Sequence, residues 1–260
     1  MVLDVKDVKP DVRIYPDLGA LSRAVARSLV EQINSSVTTG SIFSLVLAGG
    51  NTPRALYQLL SAEYRERIPW RQVHLFWGDE RYLPPNDPRS NYSMAEKSLL
   101  SQVPIPLGNV HPMLTGFPKA DEGAQAYEGV LRTYFNSSWP HFDLVLLGLG
   151  AEGHTASLFP GSAALDEQQR WVVAVEAPAE PPLRLTLTLP VLNHAASVYF
   201  LAAGSEKARA LQQASTGAPN CPAAMVRPPG GKVVWWADES AAGLLPESFR
   251  LRRAENEPTA

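Results

Sequence analysis

Short apolar segments alternate along this chain with segments of mixed polarity. Residues 43–48, 73–77 and 142–147 are nearly continuous apolar runs, and a glycine follows each of them directly. Runs of this length between glycine-rich turns are typical of buried strands in a parallel sheet. Strand-like patterning also predicts strands over 12–15, 171–176, 184–189, 198–202 and 233–237.

Apolar residues recur at helical spacing between these strands. The pattern predicts a helix that opens at Thr52, as N-cap, with Pro53 in its first turn. It also predicts helices over 17–33, 90–100, 121–134 and 205–213. Strands that alternate with helices indicate parallel βαβ units, so we expect a single α/β domain over 1–260. Its polar end, 251–260, is predicted to be a disordered tail.

Composition and charge narrow the class of protein. The 260 residues are 45% hydrophobic and 19% charged, which is ordinary for a globular protein with a substantial core. A net charge of −3 supplies no basic field for nucleic acid or for an anionic membrane. The chain also lacks a signal-peptide pattern and a membrane-length apolar run, so we expect a cytoplasmic location. Cys221 is the single cysteine, which excludes an intramolecular disulfide, and we assign it a surface or packing role.

The loop of Gly49, Gly50, Asn51 and Thr52 follows the first apolar run. Glycines let the backbone approach a ligand closely, and the start of a helix offers free N–H groups that suit a phosphate. An ordinary strand-to-helix turn with a capping threonine explains the same residues equally well. Because neither a Gly-Lys-Ser/Thr nor a GxGxxG pattern is present, the loop indicates neither a P-loop nor a dinucleotide site.

Two adjacent carboxylates and an arginine follow the second run, in Gly78-Asp79-Glu80-Arg81. They are able to polarise a substrate, to bind hydroxyl groups or to pair with one another. Neighbouring side chains point in different directions, so Asp79 and Glu80 are expected to have different roles. The alternative is a structural ion-pair cluster that orients the proline-rich loop over 82–89.

His154 lies in the loop after the third run and is the only histidine that directly follows a glycine-rich strand exit. Histidine is the side chain best suited to act as a general base near neutral pH. Glu152 and Thr155 are near enough in sequence to orient it or to bind substrate. A packing role for His154 is the alternative. The remaining histidines are interpreted as structural, and they are His74, His111, His141 and His194.

The carboxyl ends of parallel strands meet at one edge of a sheet, so the three loops should face one cleft. His154, Glu152 and Asp79 are able to supply three metal ligands, but the sequence has no HExxH or clustered-histidine pattern, which disfavours a catalytic metal. A serine nucleophile is unsupported because no Gly-x-Ser-x-Gly elbow occurs.

Taken together, these loops resemble the 6-phosphogluconolactonase family, within the glucosamine-6-phosphate isomerase/6-phosphogluconolactonase superfamily. The resemblance runs from near residue 12 to about 240. It rests on ordered motifs at 47–53, 77–81 with Ser90-Asn91-Tyr92, 148–160, and 184–190 with Asn193, followed by Gly204 with Lys207. One departure stands out, because the family usually has Asp-Gly-His where this chain has Glu152-Gly153-His154.

The resemblance implies an open, mostly parallel, Rossmann-like sheet with helices on both faces, similar to glucosamine-6-phosphate deaminase and ribose-5-phosphate isomerase. It implies hydrolysis of 6-phospho-D-glucono-1,5-lactone, a carboxylic ester hydrolase reaction of the oxidative pentose phosphate pathway, without metal or organic cofactor. The small-molecule substrate is the partner expected, for a monomer or small homo-oligomer. The implied roles are a general base at His154 and substrate contact at Arg81, with Asp79 and Glu152 in the catalytic set. Arg184 and Lys207 join the 49–52 loop as phosphate partners.

Two other functions remain open at this point. One is a related sugar-phosphate isomerase or deaminase, whose pattern Met-Asp-Glu-Tyr differs from Gly78-Asp79-Glu80-Arg81, so that Arg81 favours the lactonase. The other is a non-catalytic sugar-phosphate sensor. Such sensors usually carry a DNA-binding segment, and we expect none here because the predicted sheet begins near Val12 and the charge is unsuited to DNA.

Overall fold

The computed structural model describes residues 10–38 and 40–250, so the predicted tail over 251–260 lies outside the described residues. The strands, in chain order, are β1 (Asp11–Tyr15), β2 (Phe43–Leu47), β3 (Val73–Trp77), β4 (Asp79–Arg81), β5 (Val110–His111), β6 (Leu144–Gly148), β7 (Val172–Glu176), β8 (Leu183–Leu187), β9 (Ser197–Ala202) and β10 (Lys232–Asp238). The helices are α1 (Leu18–Thr38), α2 (Asn51–Glu63), α3 (Asn91–Ser98), α4 (Ala120–Phe135), α5 (Leu189–Leu192), α6 (Ala208–Thr216) and α7 (Glu247–Arg250).

Two sheets organise the described part of the chain. Seven strands form a parallel sheet in the order β1-β10-β9-β6-β2-β3-β5, and three strands form an antiparallel sheet in the order β4-β8-β7. The predicted open, mostly parallel α/β sheet is therefore confirmed. No helix in the described ranges has the length and apolar character needed to cross a membrane.

All predicted strands are present, and their ends lie within two residues of the prediction. Two further strands were not predicted. β4 has three residues, all charged, and β5 has two residues. The run over 184–189 ends at Leu187, because Thr188 precedes the short helix α5 with Pro190 in its first turn. The helix expected over 205–213 begins as a 3-10 turn and continues as α6 to Thr216.

The apolar core explains the central strands. Every residue of β2 is buried, as is typical of a strand covered on both faces. Its one polar residue, Ser44, gives both its N–H and its Oγ to Oδ2 of Asp143, at 2.8 and 2.6 Å. This pairing joins β2 to the segment that leads into β6. It also gives an acceptor to two buried donors, which would be costly to leave unpaired.

Glu80 fixes the start of α3. Its carboxylate is 2% exposed and accepts hydrogen bonds from the backbone N–H groups of Asn91 and Tyr92, each at 2.7 Å. It also accepts the N–H of Arg81 at 2.7 Å and Oγ of Ser90 at 3.0 Å. Burial raises the pKa of Glu80, while the three N–H donors act in the opposite direction. Negative charge at a helix start is favourable, so Glu80 adds to the cap supplied by Ser90 and docks α3 on β4.

Replacing Glu80 by Ala is expected to lower the free energy of unfolding by about 3 kcal/mol, because buried N–H donors lose their acceptor. Chemical denaturation measures the change. The matched control is Glu66→Ala, whose carboxylate is 84% exposed and which should change the value by less than about 0.5 kcal/mol. Equal effects of the two substitutions would contradict the capping role.

Candidate active site

A cavity of about 180 Å³ opens where the neighbouring strands β9, β6, β2 and β3 reach their carboxyl ends. This edge lies beside the point where the order of the sheet reverses, the usual place for a ligand in open α/β sheets. The predicted site residues that line it are Gly49, Gly50, Asp79, Arg81, His154, Arg184 and Lys207. Asn51, Thr52 and Glu152 belong to the same loops but lie outside the lining.

The turn after β2 is held against α3. A Cβ atom at Gly49 would lie 2.0 Å from Oδ1 of Asn91, so this close approach requires glycine. Gly50 has φ 101° and is the N-cap of α2. The prediction that Thr52 caps this helix is wrong, because the helix begins at Asn51 and no side chain caps it. Its first N–H groups therefore remain available beside the cavity, as an anion requires.

Asp79 connects three parts of the site. Its Oδ2 accepts Oγ–H of Ser157 at 2.6 Å, and its Oδ1 accepts Nδ2–H of Asn91 at 3.1 Å. The same amide nitrogen donates to the backbone oxygen of Asp79 at 2.9 Å. Asp79 therefore ties β4 to α3 and to the segment just after His154, while one side of it faces the cavity.

Three cationic side chains line the cavity, and none of them forms a salt bridge within the described residues. In the described part of the chain, no carboxylate lies within 4.0 Å of the charged nitrogens of Arg81, Arg184 or Lys207. Arg81 and Arg184 are direct cross-strand neighbours of β4 and β8, an arrangement of like charges that destabilises a sheet. An anionic ligand would relieve this repulsion.

The two arginines are also held in place by the backbone. Arg184 is 6% exposed and donates through Nε to the Pro181 oxygen at 3.0 Å. Arg81 donates to the Arg89 oxygen, while its own Nε is buried with no acceptor. Burial lowers the pKa of Arg184, as does Arg81, whereas Asp79 and Glu152 raise it. Burying a guanidinium costs free energy, so the pair is kept at the expense of stability.

His154 presents one nitrogen to the cavity. Its side chain is 25% exposed, and Nδ1 is buried 2.9 Å from Oε1 of Glu152. The two atoms are close but do not form an aligned hydrogen bond, and they form an ion pair only when the imidazole is protonated. The pKa of Glu152 is lowered overall. Partial burial acts to raise this pKa, but the hydrogen bond from its own backbone N–H and the charge of His154 lower it by more. Nε2 is therefore the nitrogen available to a ligand.

The other histidines do not line this cavity. His74 and His111 share a 3.0 Å contact between Nδ1 and Nε2, and burial lowers the pKa of His111 to about 4. His194 stacks on Trp139 with 5.0 Å between ring centroids. Cys221 is buried, and its thiol donates to the Gly153 oxygen at 3.6 Å, so its role is structural. No group of three possible metal ligands occurs in the described ranges.

Several residues that build the site were not singled out by local sequence reasoning. Asn91, Ser157 and Phe159 occur within motifs of the family resemblance, but nothing in their spacing distinguishes their side chains. Glu80 carries a detectable signal, because Ser90-Asn91 ten residues later is a helix start that a buried carboxylate is able to cap.

Comparisons with known proteins agree on one group. The model of the family described as glucosamine-6-phosphate isomerases/6-phosphogluconolactonase matches residues 16–235. A 6-phosphogluconolactonase of Synechocystis is 40% identical over 229 residues, which cover 85% of this chain and 93% of the relative. The solved 6-phosphogluconolactonase from Trypanosoma cruzi has a TM-score of 0.82 at 34% identity, covering 91% of this chain and 97% of that one.

A more distant likeness shows the fold alone. A monomeric glucosamine-6-phosphate deaminase matches with a TM-score of 0.76 at 20% identity, covering 90% of this chain and 99% of that one. The predicted similarity to the deaminase fold is thus confirmed.

Inorganic phosphate is expected to bind this cavity because three cations there lack carboxylate partners. At about ten times its dissociation constant it should stabilise the protein by about 1.4 kcal/mol, seen as a higher melting temperature than in sodium chloride of equal ionic strength. Arg184→Gln should lose most of that shift. Arg71→Gln should keep it, because Arg71 is exposed at the amino end of β3. An equal shift in wild type and in Arg184→Gln would contradict the assignment.

Proposed function

The chain belongs to the glucosamine-6-phosphate isomerase/6-phosphogluconolactonase family, and from this we propose that it hydrolyses 6-phospho-D-glucono-1,5-lactone to 6-phospho-D-gluconate. The observation that carries the proposal is that His154 and three cations without carboxylate partners line a single cavity. A phosphorylated lactone needs both of these features, a group that takes a proton from water and a separate anion site. The relatives named as 6-phosphogluconolactonases support the choice of substrate.

We assign the phosphate to Arg184, Lys207 and the free N–H groups at the start of α2. Arg184 lies on β8 of the antiparallel sheet, whereas Lys207 follows β9 of the parallel sheet through Gly204, whose φ is 99°. A phosphate held at this end places the lactone ring toward the His154 side of the cavity. Fixing the substrate in this manner converts part of the binding free energy into catalysis, because the water and C1 then meet in one orientation.

His154 acts in the proposed reaction as a general base through Nε2. It removes a proton from a water molecule while the water oxygen attacks C1 of the lactone, and negative charge develops on the carbonyl oxygen. Collapse of this tetrahedral intermediate breaks the bond from C1 to the ring oxygen, which takes the proton held by the imidazole. Because a lactone is an activated ester, no covalent nucleophile is required.

Two groups stabilise the charges that arise during this reaction. Glu152, 2.9 Å from Nδ1, stabilises the imidazolium formed when His154 takes the proton. Arg81, or an N–H group of the glycine-rich turn, donates to the carbonyl oxygen as it becomes negative. Asp79 and Glu80 contribute by position, since their carboxylate oxygens already accept hydrogen bonds from the protein.

Neither rival function is favoured by an observation in the structure. The likeness to a deaminase at 20% identity concerns the fold, and Arg81 stands where the deaminase pattern has tyrosine. Ammonia release from glucosamine 6-phosphate distinguishes that activity directly. Tight binding of 6-phosphogluconate by a protein without lactone turnover would instead support a sensor.

Replacing His154 by Ala is expected to lower kcat for the lactone by about 10²- to 10⁴-fold, the usual contribution of general base catalysis. The lactone must be generated in the assay, and its spontaneous hydrolysis must be subtracted from the measured rate. His141→Ala is the matched control, because His141 is exposed and lies outside the cavity lining. Turnover by His154→Ala near that of wild type would exclude the base role.

Replacing Glu152 by Gln is expected to lower kcat by about 10-fold with little change in KM, since the amide cannot stabilise an imidazolium as a carboxylate does. Glu152→Asp keeps the charge and is expected to remain closer to wild type. Steady-state kinetics of both variants tests this assignment. A kcat for Glu152→Gln that equals that of wild type would show that Glu152 does not assist His154.

A further inference from the structure

Phe159 lies between the proposed base and the proposed phosphate partner. Its ring centroid is 4.3 Å from that of the His154 imidazole, with the two planes tilted by 32°. The guanidinium carbon of Arg184 lies over the same ring at 5.7 Å from its centroid. Phe159 itself is 3% exposed. One buried aromatic side chain therefore contacts two cavity residues, one in the loop after β6 and one in β8.

The imidazole also contacts backbone. A Cβ atom at Gly150 would lie 2.0 Å from Nδ1 and 2.3 Å from Cε1 of His154, so the ring lies directly against this glycine. The His154 backbone oxygen also accepts the Gly150 N–H at 2.8 Å. Gly150 and Phe159 therefore both restrict the position of the imidazole.

The segment that carries Phe159 is itself anchored. The Ser157 hydroxyl donates to Asp79 at 2.6 Å, and the Ser157 N–H donates to Oγ1 of Thr186 at 3.2 Å. The Leu158 N–H donates to the Thr155 oxygen at 2.9 Å, and the Ser162 N–H donates to the Phe159 oxygen at 3.0 Å. These contacts leave the aromatic ring little freedom to move away from its two neighbours.

An aromatic ring suits both contacts for one physical reason. The negative face of a phenyl ring attracts a guanidinium, and it likewise favours an imidazole ring that gains positive charge during the reaction. A leucine of similar volume fills space but offers neither the flat surface nor the quadrupole. The Phe159 ring is thus expected to orient the His154 imidazole and the Arg184 guanidinium and to stabilise their positive charge, in addition to filling space in the core.

We propose that Phe159 is a positioning residue that sets the orientation of the His154 imidazole and the place of the Arg184 guanidinium through one shared ring. This inference rests on the proposed function, in which His154 is the base and Arg184 binds the phosphate. It also explains why Gly150 must be glycine although its backbone conformation is open to other residues.

Steady-state kinetics on Phe159→Leu, Phe159→Tyr and Phe142→Leu tests the proposal. Phe159→Leu should lower kcat by about 10-fold, less than His154→Ala, and should raise KM by about 3-fold because Arg184 loses its aromatic contact. Phe159→Tyr keeps the ring and should restore both constants to within about 2-fold of wild type. Phe142 is a fully buried ring that packs on Phe76 and Phe135, so Phe142→Leu should lower stability and leave both constants unchanged.

The imidazole signals in NMR provide a readout that does not depend on turnover. The ring current of Phe159 should displace the Cε1–H resonance of His154, identified by its loss in His154→Ala. The displacement should disappear in Phe159→Leu and persist in Phe159→Tyr and Phe142→Leu. A resonance unchanged in Phe159→Leu, or kinetic constants for that variant equal to those of wild type, would overturn the proposal. Failure of wild type to hydrolyse the lactone would refute the proposed function, while the NMR comparison would still decide the placement of the ring.

Discussion

The site depends on the parallel pairing of four neighbouring strands. Because β9, β6, β2 and β3 run in one direction, their carboxyl ends reach the same edge, and the loops that follow them meet there. At two positions in these loops a Cβ atom would clash with a neighbouring side chain. Gly49, after β2, makes room for Asn91 at the start of α3, and Gly150 makes room for His154 within the loop after β6. These two glycines are therefore explained by close contacts and not by flexibility of the chain.

The positive charge at the cavity lowers the stability of the folded protein. Arg81 and Arg184 face each other across β4 and β8, and Arg184 is buried, so like-charge repulsion and desolvation both act on this pair. Stability is supplied elsewhere, by the fully buried β2 and by the hydrogen bonds that anchor Glu80 and Asp143. In the proposed function, a dianionic phosphate bound between these cations offsets their repulsion, and this difference would favour a phosphorylated substrate over an uncharged one.

The sequence predicts well those features that local patterns determine. Apolar runs identified β2, β3 and β6, because a strand buried on both faces must be apolar along its length. The same reasoning could not find β4, since three charged residues become a strand only by pairing with β8, which is distant in sequence. It also misplaced the cap of α2, because Gly50 and Thr52 are both acceptable caps and only the path of the backbone chooses between them. Arg184 and Lys207 came from the resemblance alone, as neither belongs to a local motif that requires a cation.

The strand character of β4 explains how two adjacent carboxylates acquire different roles. Side chains alternate between the faces of a strand, so Asp79 and Arg81 point toward the cavity while Glu80 points away, to the start of α3. Glu80 is committed to four hydrogen bonds, and both oxygens of Asp79 accept from neighbouring side chains. A carboxylate that already accepts hydrogen bonds from the protein is a poor acceptor for a proton from water, since protonation would break those bonds. His154 lines the same cavity, and its Nδ1 has no aligned hydrogen-bond acceptor, so the imidazole is not committed to hydrogen bonds of the fold as the two carboxylates are.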